Sequence, residues 1–559
     1  MHLVPDFFLD FRKELNCLMM RTNFILIGVL IMLGFSSCDQ PTETKRPNIL
    51  FAISDDQSFA HTSFTGKTWV QTPAFDRVAK TGIYFKNCYA GSPGCAPSRS
   101  SIVTGRYHWQ NEQAGQHASS WAKKFVPFVD VLDSSGYFTG MTGKGVGPFK
   151  YGDPFREENA AGKGWQEIQY EEGTPEDERY ADGIRNLNYF ANFKQFMADR
   201  DPEKPFFFWY GASEPHRRFE KDSWKRFDKS LDNVDVPGFL PDDEVVRGDL
   251  LDYAVEIEWF DLHLQRMIEY LEEIGELENT IIMVTSDNGM AFPRAKANAY
   301  EYGVHVPLAI SFPRNFPGGR VVEDPVSFID LAPTILELTG TSPDGMLPIS
   351  GRSIANILKS DQEGVVDETK EFVMAGRERH SSSRWQNLGY PQRVMRRNQY
   401  LYVWNMKPER WPAGAPQRII PDSTGEALYP MYGIDENGEH QSAWAFTDID
   451  ACPTKSVMVE NRNEPGYEKY FEMAMGAKRP EFQMFDVEKD PYCLNNLAEN
   501  PEFQGIKSEM HQLMMQELEA TGDPRIVGPN KEVFDTYVRY SPMREFPEPE
   551  WSEETTSLF

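Results

Sequence analysis

From Pro47 onward, short apolar runs alternate with stretches of helical periodicity, the pattern of a sheet with helices on both faces. Four of the runs are continuous rather than alternating, as strands covered on both sides are. Asn48 to Ile53 ends in Ser54-Asp55-Asp56, and Ile281 to Val284 ends in Thr285-Ser286-Asp287-Asn288-Gly289. Phe206 to Tyr210 leads into Glu214-Pro215-His216, and Tyr137 to Met141 leads into Gly143-Lys144. Open α/β sheets bind ligands beyond the carboxyl ends of their strands, so these four are expected to bring polar groups to one rim. Leu250, Ile257, Leu264, Ile268 and Leu271 recur at helical spacing and predict a long amphipathic helix, in which His263 reads as a packed residue rather than a ligand.

Near Glu371 the composition changes. Arginines gather at 377, 379, 384, 393, 396 and 397, followed by the strand-like run Gln399 to Trp404. A larger unit over 47–370 is therefore expected to be followed by a smaller α+β unit over 371–520. The smaller unit would close with Met484 to Val487 and a helix from Ile506 to Leu518. Residues 521–559, rich in Pro and Glu toward the end, read as an extended arm or frayed tail. At the other end, Met20-Arg21-Thr22-Asn23 precedes an apolar run from Phe24 to Phe35 and then Ser36-Ser37-Cys38. That run is too short to span a membrane and reads as a secretory leader over 1–38, with translation starting at Met19 or Met20. Small residues before Cys38 resemble a bacterial lipoprotein cleavage site. This implies lipidation of Cys38, membrane attachment by the lipid anchor alone, and a place in the periplasm or at the cell surface as an outer-membrane lipoprotein. An ordinary signal peptide cut nearby would still export the chain.

The 57 basic and 85 acidic side chains leave a formal charge of −28, which excludes nucleic-acid binding by bulk electrostatics. With 40% hydrophobic and 13% aromatic residues the chain is too rich in core formers to be disordered. Six cysteines offer no CxxC pair, which points any metal toward oxygen ligands; Cys452 and Cys493 are the pair that an oxidising compartment could join.

The most specific string is Cys95-Ala96-Pro97-Ser98-Arg99, continuing to Thr104-Gly105-Arg106. Pro97 marks a helix start, so Cys95 is expected at a helix N-terminus, where free N–H groups favour an anion. On the residues alone it is either a low-pKa nucleophile or a small buried hydrophobe. The string resembles the C-x-P-S-R-x(4)-T-G-R signature of type I sulfatases, with Val103 where leucine is usual. The resemblance implies an alkaline-phosphatase-like α/β sandwich with a large mixed, mostly parallel sheet and a smaller C-terminal α+β subdomain. It also implies hydrolysis of sulfuric esters. Cys95 would be converted before folding, by a formylglycine-generating or anaerobic sulfatase-maturing enzyme, into formylglycine, whose hydrate is the nucleophile.

Carried over residue by residue, Asp55, Asp56, Asp287 and Asn288, with the oxygen formed at Cys95, match the ligands of one divalent cation. The carboxylate-rich set suits Ca2+ better than Mg2+. The alternative for each pair is N-capping of the next helix. Arg99 matches the arginine that holds formylglycine, Lys144 and Lys296 match groups on the sulfate, and His216 matches the proton donor to the leaving oxygen. The heparan N-sulfatase branch is most similar, sharing Ser-Asp-Asn-Gly-x-x-Phe-Pro at 286–293, Pro-His-Arg at 215–217 and the late string from Met484 to Ala498. One departure stands out: many sulfatases place a histidine two positions after the lysine, whereas Lys144 is followed by Gly145-Val146. His108 and His117 are the nearest stand-ins in sequence. Gly376-Arg377-Glu378-Arg379-His380 resembles a recognition segment of glycan sulfatases, so Arg377, Arg379 and His380 are the expected contacts to a sulfated oligosaccharide, of algal polysaccharides such as ulvan or carrageenan or of glycosaminoglycans. Competing readings are a phosphatase or phosphodiesterase of the same superfamily, which would carry Ser or Thr as nucleophile, a non-catalytic glycan-binding protein if Cys95 is not matured, and an enzyme for small aryl or choline sulfates.

Overall fold

In the computed structural model the described residues are 45–171, 180–422 and 425–554. The leader, with Met19, Met20 and the lipidation candidate Cys38, lies outside them. Among the described residues, β1 (Asn48–Ser54), β2 (Ile83–Phe85), β3 (Phe138–Gly143), β4 (Phe206–Gly211), β5 (Thr280–Ser286), β6 (Leu308–Ser311) and β7 (Arg320–Val322) form a seven-stranded sheet in the order β7-β2-β6-β5-β1-β4-β3. β1 is central and runs parallel to β4 and β5, while β6 is antiparallel to β5 and β2. Every residue of β1 is buried, which accounts for its unbroken apolar run. Ile49, Phe51 and Ile53 face one core layer, and Leu50 and Ala52 face the other.

Two helices matter for the site. α1 (Cys95–Thr104) begins at Cys95 itself, with Gly94 as N-cap, so Pro97 stands inside the first turn. It stops at Gly105, which adopts φ 65 and returns its N–H to Ser101 O; a side chain there would strike Ile349. α2 (Glu244–Glu273) is longer than its apolar stripe suggested, because the Asp243 side chain caps it by accepting from the Val245 N–H. Leu264, Met267, Ile268 and Leu271 cover the sheet on the side of Phe208 and Ile282. His263 is buried within it, accepting from the Phe190 N–H at 3.2 Å, as a packed residue.

The C-terminal subdomain is an antiparallel sheet of β8 (Phe372–Arg377), β9 (Gln392–Arg397), β10 (Tyr400–Asn405) and β11 (Phe482–Asp486). α3 (Gln504–Ala520) closes its outer face, setting Met510, Met514 and Leu518 against Met395, Tyr402 and Met484. Beyond α3 the described residues, to 554, form an arm held to the body rather than a frayed tail. Short helices at Pro524–Val527 and Val533–Thr536 lead into a strip that bonds back to the body at Tyr537, Tyr540, Arg544 and Glu545. From Pro47 onward the chain clusters as one compact unit. Cys452 and Cys493 are separate buried thiols, not a disulfide. No helix among the described residues is long and apolar enough to cross a membrane.

Candidate active site

The turns after β1 and β5 lie side by side because those strands are parallel neighbours in register from Asn48/Thr280 to Ser54/Ser286. Asp55 and Asp56 therefore meet Asp287 and Asn288. Asp56, held at φ 76, receives the Asn288 amide on Oδ1 at 2.8 Å, and its own N–H donates to Asp287 Oδ1 at 3.1 Å. Gly289 follows because the backbone of Tyr302 passes where a side chain would start, 1.8 Å from that position. All four polar residues are buried, yet Asp55 Oδ1 and Asn288 Oδ1 have no protein donor. Oxygens left unpaired at such a depth are what a cation takes. Helix capping, the alternative for these pairs, does not use them: neither stands at the N-cap of a helix.

Cys95 joins Asp55 and Asp287, the three ligand atoms lying within 4.8 Å of one another. Its thiol is buried, and burial holds it up at about 11 even with Lys144 pulling the other way. The unmodified side chain is thus neutral and a poor nucleophile despite the helix N-terminus. Arg99, one turn along α1, donates from Nε to Asp287 Oδ2 at 2.7 Å and from Nη1 to the Lys144 and Gly145 carbonyls at 2.8 and 3.0 Å. Lys144, carried by the end of β3, forms an ion pair with Asp55. Lys296 donates to Asp56 at 2.6 Å and to Asp450 at 3.1 Å. Burial disfavours its charge, but Asp450 and Asp56 outweigh burial and hold it cationic. Asp287 is pushed up by burial and by Asp55, so it has most to gain from a cation.

His216 sits on the turn after β4. Its Nδ1 lies 2.8 Å from the Arg217 carbonyl, which only accepts, so Nδ1 carries a hydrogen and Nε2 faces the site, 4.0 Å from Asp56 Oδ2. The turn is fixed by Arg217, which clamps Asp249 of α2 with bonds of 2.7 and 2.8 Å and reaches the Ala291 carbonyl at 2.7 Å. Lys144 and His216 open onto a cleft of about 410 Å³ that Arg185 and Arg218 also line.

Not every residue singled out in the sequence arrives here. Arg377 and Arg379 are each 2% exposed. Arg377 is ion-paired with Asp448, and Arg379 spends its donors on Tyr537 O and Ser119 Oγ, so neither is a free substrate contact. The arginine-rich run is likewise no surface patch: Arg384 joins Asp448, and Arg393 joins Glu378 and Asp523, because guanidiniums turned inward from a sheet need carboxylates. His108 is buried under β8 beside Trp109 and does not reach the site. His380 does come close, with Nδ1 3.0 Å from where a side chain would begin on Gly94, and its ring lies 5.3 Å from that of His117. Asp450 was not anticipated: it lies within 4.8 Å of both Asp56 and His216 through their ligand atoms, in an irregular stretch with no motif to flag it.

The cluster of Asp55, Asp56, Asp287 and the part-exposed Asp450 against Arg99, Lys144 and Lys296 is one charge negative. It is an oxygen-rich seat for a divalent ion beside three cations suited to an oxyanion.

Comparison with known proteins agrees. Residues 47–341 match the sulfatase family model. An ulvan-active sulfatase of Formosa agariphila is 25% identical over 517 residues, covering 87% of this chain and 77% of that one. The human N-sulphoglucosamine sulphohydrolase is 23% identical, covering 86% and 92%. A solved structure described as a complex with its substrate, D-glucosamine-2-N,6-O-disulfate, superposes with TM-score 0.57 at 19% identity, over 86% of this chain and 99% of that one. With the family model matched over more than half of its length, the chain belongs to the sulfatase family, the hydrolases of sulfuric esters.

Proposed function

We propose that the protein removes sulfate from oligosaccharides of sulfated polysaccharides, algal or glycosaminoglycan, using Cys95 matured to formylglycine and one Ca2+ held by Asp55, Asp56, Asp287 and Asn288. The observation that carries this reading is the junction of a buried Cys95 at the head of α1 with the Asp55 and Asp287 carboxylates within 4.8 Å, in a site where Asp55 and Asn288 keep unpaired oxygens. The ulvan-active and N-sulphoglucosamine relatives support the substrate class. The leader ending at Cys38 supports export and lipid anchoring, where polymeric substrates are met and a maturing enzyme has already acted.

Each side chain has a task in this chemistry. Matured Cys95 would present a hydroxyl to sulfur and a second one whose loss of a proton releases sulfate, and a cation held by Asp55, Asp56, Asp287 and Asn288 would polarise a sulfate oxygen and turn the cluster net positive. Arg99 and Lys144 fix the reacting end, Lys144 and Lys296 grip the anionic oxygens, and all are already in place before substrate arrives. His216, with a proton on Nε2, gives that proton to the departing sugar oxygen, its ring lying beside Asp56 and Asp450. A phosphatase reading would want Ser or Thr at position 95.

Two measurements test the proposal together. Mass spectrometry of the tryptic peptide Asn87–Arg99 should find it lighter than the cysteine form by ~18 Da. Ion chromatography should find sulfate released from one class in a panel of glycosaminoglycan, carrageenan and ulvan oligosaccharides, and none with Cys95→Ala. Sulfate release from an unmodified Cys95 peptide, or from the Cys95→Ala protein, would overturn the mechanism.

A further inference from the structure

Several buried arginines in this acidic chain are met by carboxylates: Arg377 and Arg384 by Asp448, Arg393 and Arg525 by Glu378, Arg410 by Asp535. Among those that are not, Arg539 and Arg544 of the C-terminal strip lie beside Arg418. Arg539 has Nε and Nη1 shut away from water with no partner among the described residues, and Arg418 has its Nε in the same state. Arg544 donates its guanidinium only to a backbone carbonyl, Ser382 O, at 3.0 Å. Burial opposes the charge of all three, and their mutual proximity adds to it, Arg544 acting on Arg539 and Arg418 on Arg544. Asp448, the nearest buried acid, is already filled by Arg377, Arg384, Ser381 and Ser383. Buried guanidinium N–H groups without acceptors are uncommon in native proteins and ask for an anion.

The strip that carries Arg539 and Arg544, and that bonds to Ile419 next to Arg418, is laid beside the active site. Arg379 donates to Tyr537 O at 2.7 Å, Tyr540 N–H to Ala118 O at 3.0 Å, Arg544 N–H to Ser382 Oγ at 2.9 Å, and Ile419 N–H to Glu545 O at 2.9 Å. Between those anchors lie His117 and His380, and His380 abuts Gly94, the cap of the Cys95 helix. Arg544 is also within electrostatic reach of Asp450, which rests on Lys296. Arg544 thus faces the Asp450 carboxylate that rests on Lys296, with Arg418 and Arg539 in electrostatic reach of Arg544.

We infer that Arg418, Arg539 and Arg544 form a subsite for a second anionic group of the substrate, a sulfate or carboxylate on a sugar next to the one desulfated. The inference rests on the polysaccharide reading above. Arginine forks pair with either oxyanion in two parallel hydrogen bonds. Asp450 repels that second anion from the catalytic seat, so a polyanionic chain lies with its reacting sulfate on Lys144 and Lys296 and its next charge on the arm.

Calorimetry on the Cys95→Ser protein tests this, with three probes: glucosamine 6-sulfate, a carrageenan tetrasaccharide whose charges are sulfates, and a heparin-derived tetrasaccharide that adds carboxylates. At least one tetrasaccharide should bind about tenfold or more tightly than the monosulfated sugar. R539Q/R544Q should erase that preference and flatten its salt dependence, and R539K/R544K should restore part of it. Which tetrasaccharide shows the preference tells sulfate from carboxylate. A preference that survives in R539Q/R544Q with an unchanged circular dichroism melt overturns the inference, as does the absence of any preference in the parent. Should the double variant fail to fold, R418Q alone carries the same expectation. Sulfate release by the matured enzyme is scored separately: release with an unaltered preference removes the subsite only, whereas no release from any sulfated substrate removes the reading beneath it.

Discussion

At the scale of single residues, the unpaired oxygens of Asp55 and Asn288 set the clearest expectation. Asp55→Ala or Asn288→Ala should cost the purified enzyme its divalent ion, counted by plasma mass spectrometry at about one per chain in the parent. His216→Ala should keep the ion and lower turnover by roughly 10²–10⁴, most with poor leaving groups; an unchanged rate on an alkyl sulfate would remove it as the proton donor. These residues were legible in the sequence because each lies within a few positions of a strand end, where local spacing fixes the address. Asp450 was not, since it reaches Lys296 from 154 positions away with neither strand nor helix pattern around it. The arginines from 377 to 397 misled for a related reason: composition records charge, and only packing records whether a carboxylate already holds it.

At the scale of elements, the turn after β4 owes its shape to α2 through Arg217 and Asp249. Asp249→Ala would leave Arg217 buried and unpaired, a loss of about 3–5 kcal/mol that urea unfolding should register. Freed from its clamp, the turn would misplace His216, so kcat should fall by at least about tenfold while the metal content stays. Equal kcat in the variant would mean that the turn is held by its other bonds. The four main strands and α2 could be read in advance, since β1, β4 and β5 are covered on both faces and α2 on one. The strip after α3 could not, because its hold on the body comes from backbone groups of residues scattered from 118 to 419, which leave no periodic trace.

For the molecule as a whole, acid should act through histidine. Burial depresses His61, His263 and His380 to about 3 and His440 to about 4, and holds His108 and His117 well below the usual value. The unfolded chain takes up protons near pH 6.5 that the folded one refuses, so stability is full above that pH and drains as pH falls toward 3 or 4. Asp448, whose carboxyl is depressed by its arginines despite burial, keeps its contribution until far more acid conditions. Melting temperature should therefore hold from pH 7.5 to about 6.5 and drop from there to 5.0, and no drop below 6.5 would contradict the burial of these rings. The sheet order has a consequence in time. β1 leaves the ribosome first but lies between β4 and β5, whose last residue is Ser286. Translation of roughly 180 further residues after α1, at about 5–20 per second, gives an interval on the order of 10–35 s in which β1 lacks at least one of its two neighbours and the turn after β5 is not yet beside Cys95. The order of synthesis thus leaves Cys95 accessible until the last strand of its site is made.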